Sequence, residues 1–159
     1  MSPAWRDPLE RFWEKVDQTG DCWLWTAYTN SKGYGWWWSG ESHVLAHRFA
    51  YTLLVGPIPA GQQLDHRHTC PKNCVNPSHL RPVTPKQNSE NHAGAYANSK
   101  SGVRGVTWNK GKKCWKAEVA HNRRRIHVGY FKSIEEAEIA VVAKRNELFT
   151  HNDADRSEE

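Results

Sequence analysis

The sequence predicts an α+β fold arranged as two small modules, and three observations carry that expectation. Short β-type stretches alternate with helix-start signatures along the whole chain. A dense Cys and His run separates an extended stretch from the next helix start. A small, polar segment at residues 93–100 then divides this half from a more basic one. The expected division is a first domain over 1–92, a linker over 93–100, a second domain over 101–152 and a polar tail over 153–159. At 159 residues and 38% hydrophobic content the chain suits small cores, helped by nine tryptophans and by a metal staple.

The elements follow in order. Asp7-Pro8-Leu9-Glu10 reads as a helix start, with Asp7 as N-cap and Pro8 in the first turn. Leu9, Phe12, Trp13 and Val16 fall on one face of that helix, and Gly20 ends the element. Residues 22–26 and 33–38 read as strands with turn residues between them. Leu45, Ala46, Phe49, Ala50, Leu53 and Leu54 have helical spacing and stop near Gly56. An extended Leu64-Asp65-His66 comes next, and Thr84-Pro85-Lys86-Gln87 caps a short helix carrying Asn88, Asn91 and His92. The expected order at the centre is therefore strand, loop, strand, helix. Beyond the linker, residues 103–107, 114–120 and 124–130 read as three short strands joined by turns at Asn109-Lys110-Gly111 and His121-Asn122. Ser133-Ile134-Glu135-Glu136 opens a final helix with Ala137, Ala140, Val141, Lys144 and Leu148 along one side.

The net charge of +5 and pI near 9.1 favour an acidic partner, of which nucleic acid is the commonest. No apolar run reaches the length of a membrane span, and Met1-Ser2-Pro3-Ala4-Trp5-Arg6 has no apolar core of a signal peptide. The expectation is an intracellular chain without membrane contact. In that setting four cysteines point to metal before disulfides.

Zinc takes about four thiolate or imidazole ligands. Cys70, Cys74 and His79 supply three within ten residues. Cys22 is the best fourth candidate because it lies in the same half, and His68 is the alternative. Cys114, across the linker, reads as a core or free thiol. Upstream of the cluster, Asp65 and His66 stand side by side. The strand, loop, strand, helix order brings the helix bearing Asn88 back against them. Carboxylate and amide oxygens suit magnesium or manganese. His66, with an ordinary pKa near ~6.5, suits a general base, and His68 is again the alternative.

These residues resemble the HNH endonucleases, also called His-Me finger or ββα-metal nucleases, and within them the phage and intron homing branch. The likeness runs from about Cys22 to Asn91. It rests on Cys22-Trp23-Leu24-Trp25, Gly33-Tyr34-Gly35, Ala46-His47-Arg48, Gly56-Pro57-Ile58-Pro59, Asp65-His66, Cys74-Val75-Asn76-Pro77-Ser78-His79-Leu80 and Asn88. The resemblance implies a zinc-stapled ββα-metal module. It implies His66 as general base, Asn76 as the asparagine bracing the loop, and Asn88 with Asp65 as ligands of the catalytic ion. It also implies Cys22, Cys70, Cys74 and His79 as the zinc ligands. His47 and Arg48 are candidates for phosphate contact.

Residues 100–127 hold nine lysines and arginines against the single acid Glu118, interleaved with Trp108 and Trp115. A solvated face more often mixes both signs. This segment resembles the APETALA2-type DNA-binding domain through Ser101-Gly102-Val103-Arg104-Gly105-Val106-Thr107-Trp108, Cys114-Trp115-Lys116-Ala117-Glu118-Val119, Val128-Gly129-Tyr130-Phe131 and Glu135-Glu136-Ala137. The resemblance implies a three-stranded antiparallel sheet packed on one helix. It places Arg104, Trp108, Lys116, Arg123, Arg124 and Arg125 on the DNA face, with Arg104 the candidate for base readout. The combined expectation is a site-specific, homing-type endonuclease acting on double-stranded DNA as a monomer in a bacterial or phage-infected cytoplasm. The competing expectations are a non-catalytic, zinc-stabilised DNA-binding regulator and a less specific phage packaging nuclease.

Overall fold

The computed structural model describes residues 7–67, 69–92, 94–95 and 97–156. His68, Ala93 and Tyr96 of the linker, the first six residues and the last three of the tail lie outside the described residues. The chain divides into two compact units, residues 1–85 and 86–159.

The first unit opens with α1 (Pro8–Trp13), where the Asp7 carboxylate accepts from the Leu9 N–H at 2.9 Å, as a capping residue should. β1 (Val16–Asp17) pairs antiparallel with β2 (Leu24–Trp25). β3 (Trp36–Trp38) pairs with β4 (His43–Leu45), which runs directly into α2 (Ala46–Leu54). β5 (Gln63–His66) then pairs antiparallel with β6 (Leu80–Val83), His66 opposite Leu80 and Asp65 opposite Arg81. Both early strands are shorter than the sequence suggests. The Asn30 carboxamide accepts from the Lys32 and Tyr34 N–H groups, and Gly33 sits at φ +86, so the chain before Trp36 is a turn.

Phe12, fully buried, is the centre of the core. Its ring meets Phe49 at 4.7 Å, Trp13 at 5.0 Å, Trp25 at 5.2 Å and Trp37 at 5.4 Å. Ala46, Ala50 and Val75 complete the cluster. Gly35 lets these rings close in, since a Cβ there would lie 2.7 Å from the Trp25 ring.

α3 (Pro85–Glu90) begins at the last residue of the first unit and continues into the second. In the second unit β7 (Val106–Asn109), β8 (Cys114–His121) and β9 (Arg124–Phe131) form an antiparallel sheet in that order. The first strand starts three residues later than the sequence reading placed it. Gly102 and Gly105 have positive φ and the Ser101 hydroxyl bonds to the Val103 and Val106 carbonyls, which makes 101–105 a turn. The β8–β9 turn uses Asn122 at φ 50 and Arg123 at φ 62, the left-handed pair a two-residue hairpin requires. α4 (Ile134–Leu148) packs on this sheet through Ala137 and Val141. The Ser133 hydroxyl accepts from the Glu136 N–H at 3.1 Å, while the Glu136 carboxylate reaches back to the Lys132 N–H at 3.3 Å.

One more turn along α4, Arg145 is buried where an apolar residue would be expected. Its guanidinium holds both carboxylate oxygens of Asp155 and donates to the Arg104 carbonyl at 2.7 Å. Burial alone would raise the Asp155 pKa, but the hydrogen bonds and charge of Arg145 outweigh it and the net shift is downward.

Replacing Phe12 with Ala removes the ring that four aromatic neighbours share. The expected loss is about 3–5 kcal/mol in the unfolding of the first unit, read by urea titration.

Candidate metal centre and catalytic histidine

The metal-type cluster assembles because β2 pairs on two sides. Its strand partner is β1, and it also bridges to the loop between β5 and β6, with Leu24 opposite Cys74. The Trp25 N–H donates to the Asn73 carbonyl at 2.9 Å and the Val75 N–H to the Trp23 carbonyl at 2.7 Å. This zipper carries Cys22 to Cys70, Cys74 and His79, and the four donor atoms all lie within 4.8 Å of one another. The sulfurs of Cys22 and Cys70 are 3.6 Å apart. His79 Nδ1 is 3.6 Å from the Cys22 sulfur, 3.4 Å from that of Cys70 and 3.7 Å from that of Cys74. Tetrahedral bonds of ~2.3 Å to sulfur and ~2.0 Å to nitrogen give edges of about 3.8 Å and 3.5 Å, so the donor set fits a zinc-sized ion. The three cysteines are free thiols, and the 3.6 Å between Cys22 and Cys70 is far beyond the ~2.05 Å of a disulfide. His79 Nε2 lies 3.2 Å from the Asp21 carboxylate, which fixes the proton on Nε2 and turns the Nδ1 lone pair to the sulfurs. Without a cation, burial together with neighbouring Cys22 and Cys74 pushes the Cys70 thiol up to about 12. Cys114, at the start of β8, takes no part in the cluster.

Asn76 closes the loop. Its amide donates to the Asp21 carbonyl at 2.9 Å, and its oxygen accepts from the Ser78 N–H at 3.0 Å and hydroxyl at 2.8 Å. It thereby holds the turn Pro77–His79 and the segment before Cys22 in one frame.

His66 sits half-buried at the end of β5. Its Nε2 lies 2.9 Å from the Cys74 carbonyl. A carbonyl only accepts, so Nε2 carries the proton and Nδ1 keeps its lone pair. Burial lowers the His66 pKa, and this outweighs the raising effects of the Cys74 carbonyl and Asp65. Asp65 is paired across the strands with Arg81 at 3.4 Å. Two residues that sequence reading left marginal or unassigned flank His66. The His47 ring is 4.9 Å away and the Tyr34 ring 6.0 Å away. Burial, then His66 and Arg48, lowers the His47 pKa to about 3, so this wall is neutral. Arg48 is half-buried on α2.

The other expected site residues lie in the second unit. Asn88 is on α3. Arg104 donates to the carbonyls of Ser89 at 2.9 Å, Glu90 at 3.0 Å and His92 at 2.6 Å, closing the C-terminal end of α3. Trp108 faces Trp115 directly across β7 and β8, at 5.0 Å between rings, and so shares its face. Lys116 projects to the opposite face and pairs with Glu118 at 2.6 Å. Arg123 occupies the β8–β9 turn, with Arg124 and Arg125 exposed beside it. The six residues expected on one DNA face are thus distributed over two turns and both faces of the sheet.

Residues 44–90 match the family model of HNH endonucleases. The matched stretch holds His47, Asp65, His66, three of the four clustered ligands, Asn76 and Asn88; Cys22 and the C-terminal sheet lie outside it. The chain is 44% identical over 70 residues to Protein 7.7 of Escherichia phage T7, covering 44% of this chain and 53% of that protein. It is 40% identical over 83 residues to Protein 2.8 of the same phage, covering 51% of this chain and 53% of that protein. The chain therefore spans about half the length of the curated relatives it matches. No solved structure matches the chain.

Because the thiol protons must leave for a metal to bind, acid should expel it. Lowering the pH is expected to weaken metal affinity steeply, followed as metal released to a chromogenic indicator. Cys74→Ser should release it at a higher pH than the unaltered chain. A metal content independent of pH would contradict the thiolate assignment.

Proposed function

We propose that this chain is a metal-dependent DNA endonuclease of the HNH type, hydrolysing phosphodiester bonds with His66 as general base. The observation that carries the reading is the 2.9 Å contact of His66 Nε2 with the Cys74 carbonyl, inside the stretch that matches the HNH model. It leaves Nδ1 as the atom that takes a proton from the attacking water. Burial keeps the imidazole neutral, the form in which it accepts.

Zinc is the proposed occupant of the site of Cys22, Cys70, Cys74 and His79, with a structural role. Asp65 and, from α3, Asn88 are the proposed oxygen ligands of magnesium or manganese, for which hard donors are suited. Such an ion, when bound, supplies positive charge to the scissile phosphate and the leaving oxygen. Asn76 acts by holding the loop that carries the Cys74 carbonyl. Arg48, near the matched histidines in sequence, is proposed for phosphate.

We read the C-terminal sheet as the part that positions the nuclease on double-stranded DNA, an APETALA2-like role in a site-specific, homing-type enzyme acting as a monomer. Lys116 and the Arg123, Arg124 and Arg125 turn supply the phosphate contacts, and Trp108 an aromatic edge. Arg104 joins that surface only by releasing its three carbonyl partners.

Supercoiled plasmid incubated with the chain and magnesium or manganese should be nicked or linearised. His66→Ala should slow that reaction by about a hundredfold or more while retaining the zinc. Equal rates for the variant would remove His66 from the role.

The pH profile adds a second check. A general base works above its pKa, and burial lowers that of His66. The rising limb of cleavage rate should therefore have its midpoint below the ordinary imidazole value of about 6.5. A midpoint above it would exclude the buried imidazole as the titrating base.

A further inference from the structure

The β3–β4 hairpin carries a feature that the reading above does not use. Trp36 and Trp38 are 37% and 44% exposed, while Trp37 between them is buried against Phe12, Trp25 and Phe49. Strand alternation produces this, turning one ring into the core and two outward. His43, directly opposite Trp38 in the register, completes the outer face. Its ring is nearly parallel to that of Trp36, 12° apart at 5.9 Å, and lies 4.9 Å from that of Trp38. The result is a row of three solvent-facing rings whose backbone is held from behind by Trp37 and Val44.

We propose that Trp36, Trp38 and His43 form a stacking platform for unpaired bases of single-stranded or locally opened DNA. This rests on the nuclease reading and names the form of substrate that the same unit holds. Three observations favour bases over an apolar protein partner. Trp36 and Trp38 are each more than a third exposed, and every base has a π-face that stacks on such rings without sequence preference. Trp36 and Trp38 are two residues apart on one strand, about 6.7 Å, roughly twice the 3.4 Å step of stacked bases, which suits an unstacked strand. The third member of the row is an imidazole rather than an aliphatic side chain, and its ring nitrogens can hydrogen-bond a base edge. The platform is also continuous with the proposed site, since His43 opens the strand that leads directly into α2, whose second and third residues are His47 and Arg48. Trp36 and Trp38 precede the stretch that matches the HNH model.

The test measures binding of the full chain to a short labelled single strand and to its duplex, in buffer with zinc but without magnesium or manganese. One base of the single strand is a fluorescent analogue quenched by stacking. Trp36→Ala and Trp38→Ala should each weaken single-strand affinity about tenfold and restore the analogue's emission. Trp36→Phe and Trp38→Phe should keep most of the affinity, and duplex binding should change by less than about twofold. The ratio between variant and unaltered chain should persist at high salt, because stacking releases no counterions. Unchanged single-strand affinity in both Ala variants overturns the platform, as does an equal loss on duplex. Phe variants as weak as the Ala variants overturn it too. Cleavage of plasmid alongside any of these results leaves the nuclease reading standing. A chain that neither binds nor cuts DNA of either form removes both.

Discussion

Cys74 serves two places through two different atoms. Its sulfur belongs to the Cys and His cluster, and its carbonyl oxygen receives the Nε2 proton of His66. Its own strand bridge to Leu24 and the neighbouring bonds through Asn73 and Val75 bind this residue to β2. The cluster and Asn76 add to these backbone bonds in defining the path of the loop around Cys74. A metal held there contributes to folding free energy and simultaneously fixes the tautomer of a histidine about eight residues upstream. Through Cys74 the Cys and His cluster and the His66 side chain are mechanically one object.

Much of this was legible from local signals. The Asp7 and Ser133 caps, the α2 periodicity, the hairpin turn at Asn122 and the pairing of cysteines 22, 70 and 74 with His79 all follow from residue type at short range or from ligand chemistry. What escaped was long-range and polar. Arg145 reads as an ordinary helix-surface arginine, yet it is buried because Asp155 and the Arg104 carbonyl receive it. Asp21 gives no hint that it orients His79 across 58 residues of chain. Arg104 looks like a DNA contact because its charge is visible and its carbonyl partners are not. The face of Trp108 was likewise set by the exact start of β7, and a three-residue shift of that strand changes its neighbours.

The surroundings of His66 show how burial selects chemistry. The same burial lowers both His66 and His47, while the Asp65 carboxylate works against it at His66. Two adjacent imidazoles, both neutral, avoid the repulsion that two cations would suffer. One retains a carbonyl partner that orients it, and the other, with a buried Nδ1 lacking a hydrogen bond, fills the wall behind. The two histidines thus differ in the backbone each one meets.

Glu90 has a consequence for how this gene could be cut and joined. Its carboxylate accepts from the Thr150 N–H at 3.0 Å and the His151 N–H at 3.4 Å, and the end of the same helix is closed by Arg104. The helix that carries Asn88 therefore draws its anchors from residues up to 62 positions downstream, as the bond between Asn91 and Asp153 illustrates. A recombination breakpoint in the small, polar stretch after His92 would look harmless in the sequence. It would nonetheless separate the helix from every one of these partners and strand a buried carboxylate. Modules exchanged between such genes are better joined before Pro85, with the helix inherited from the C-terminal parent.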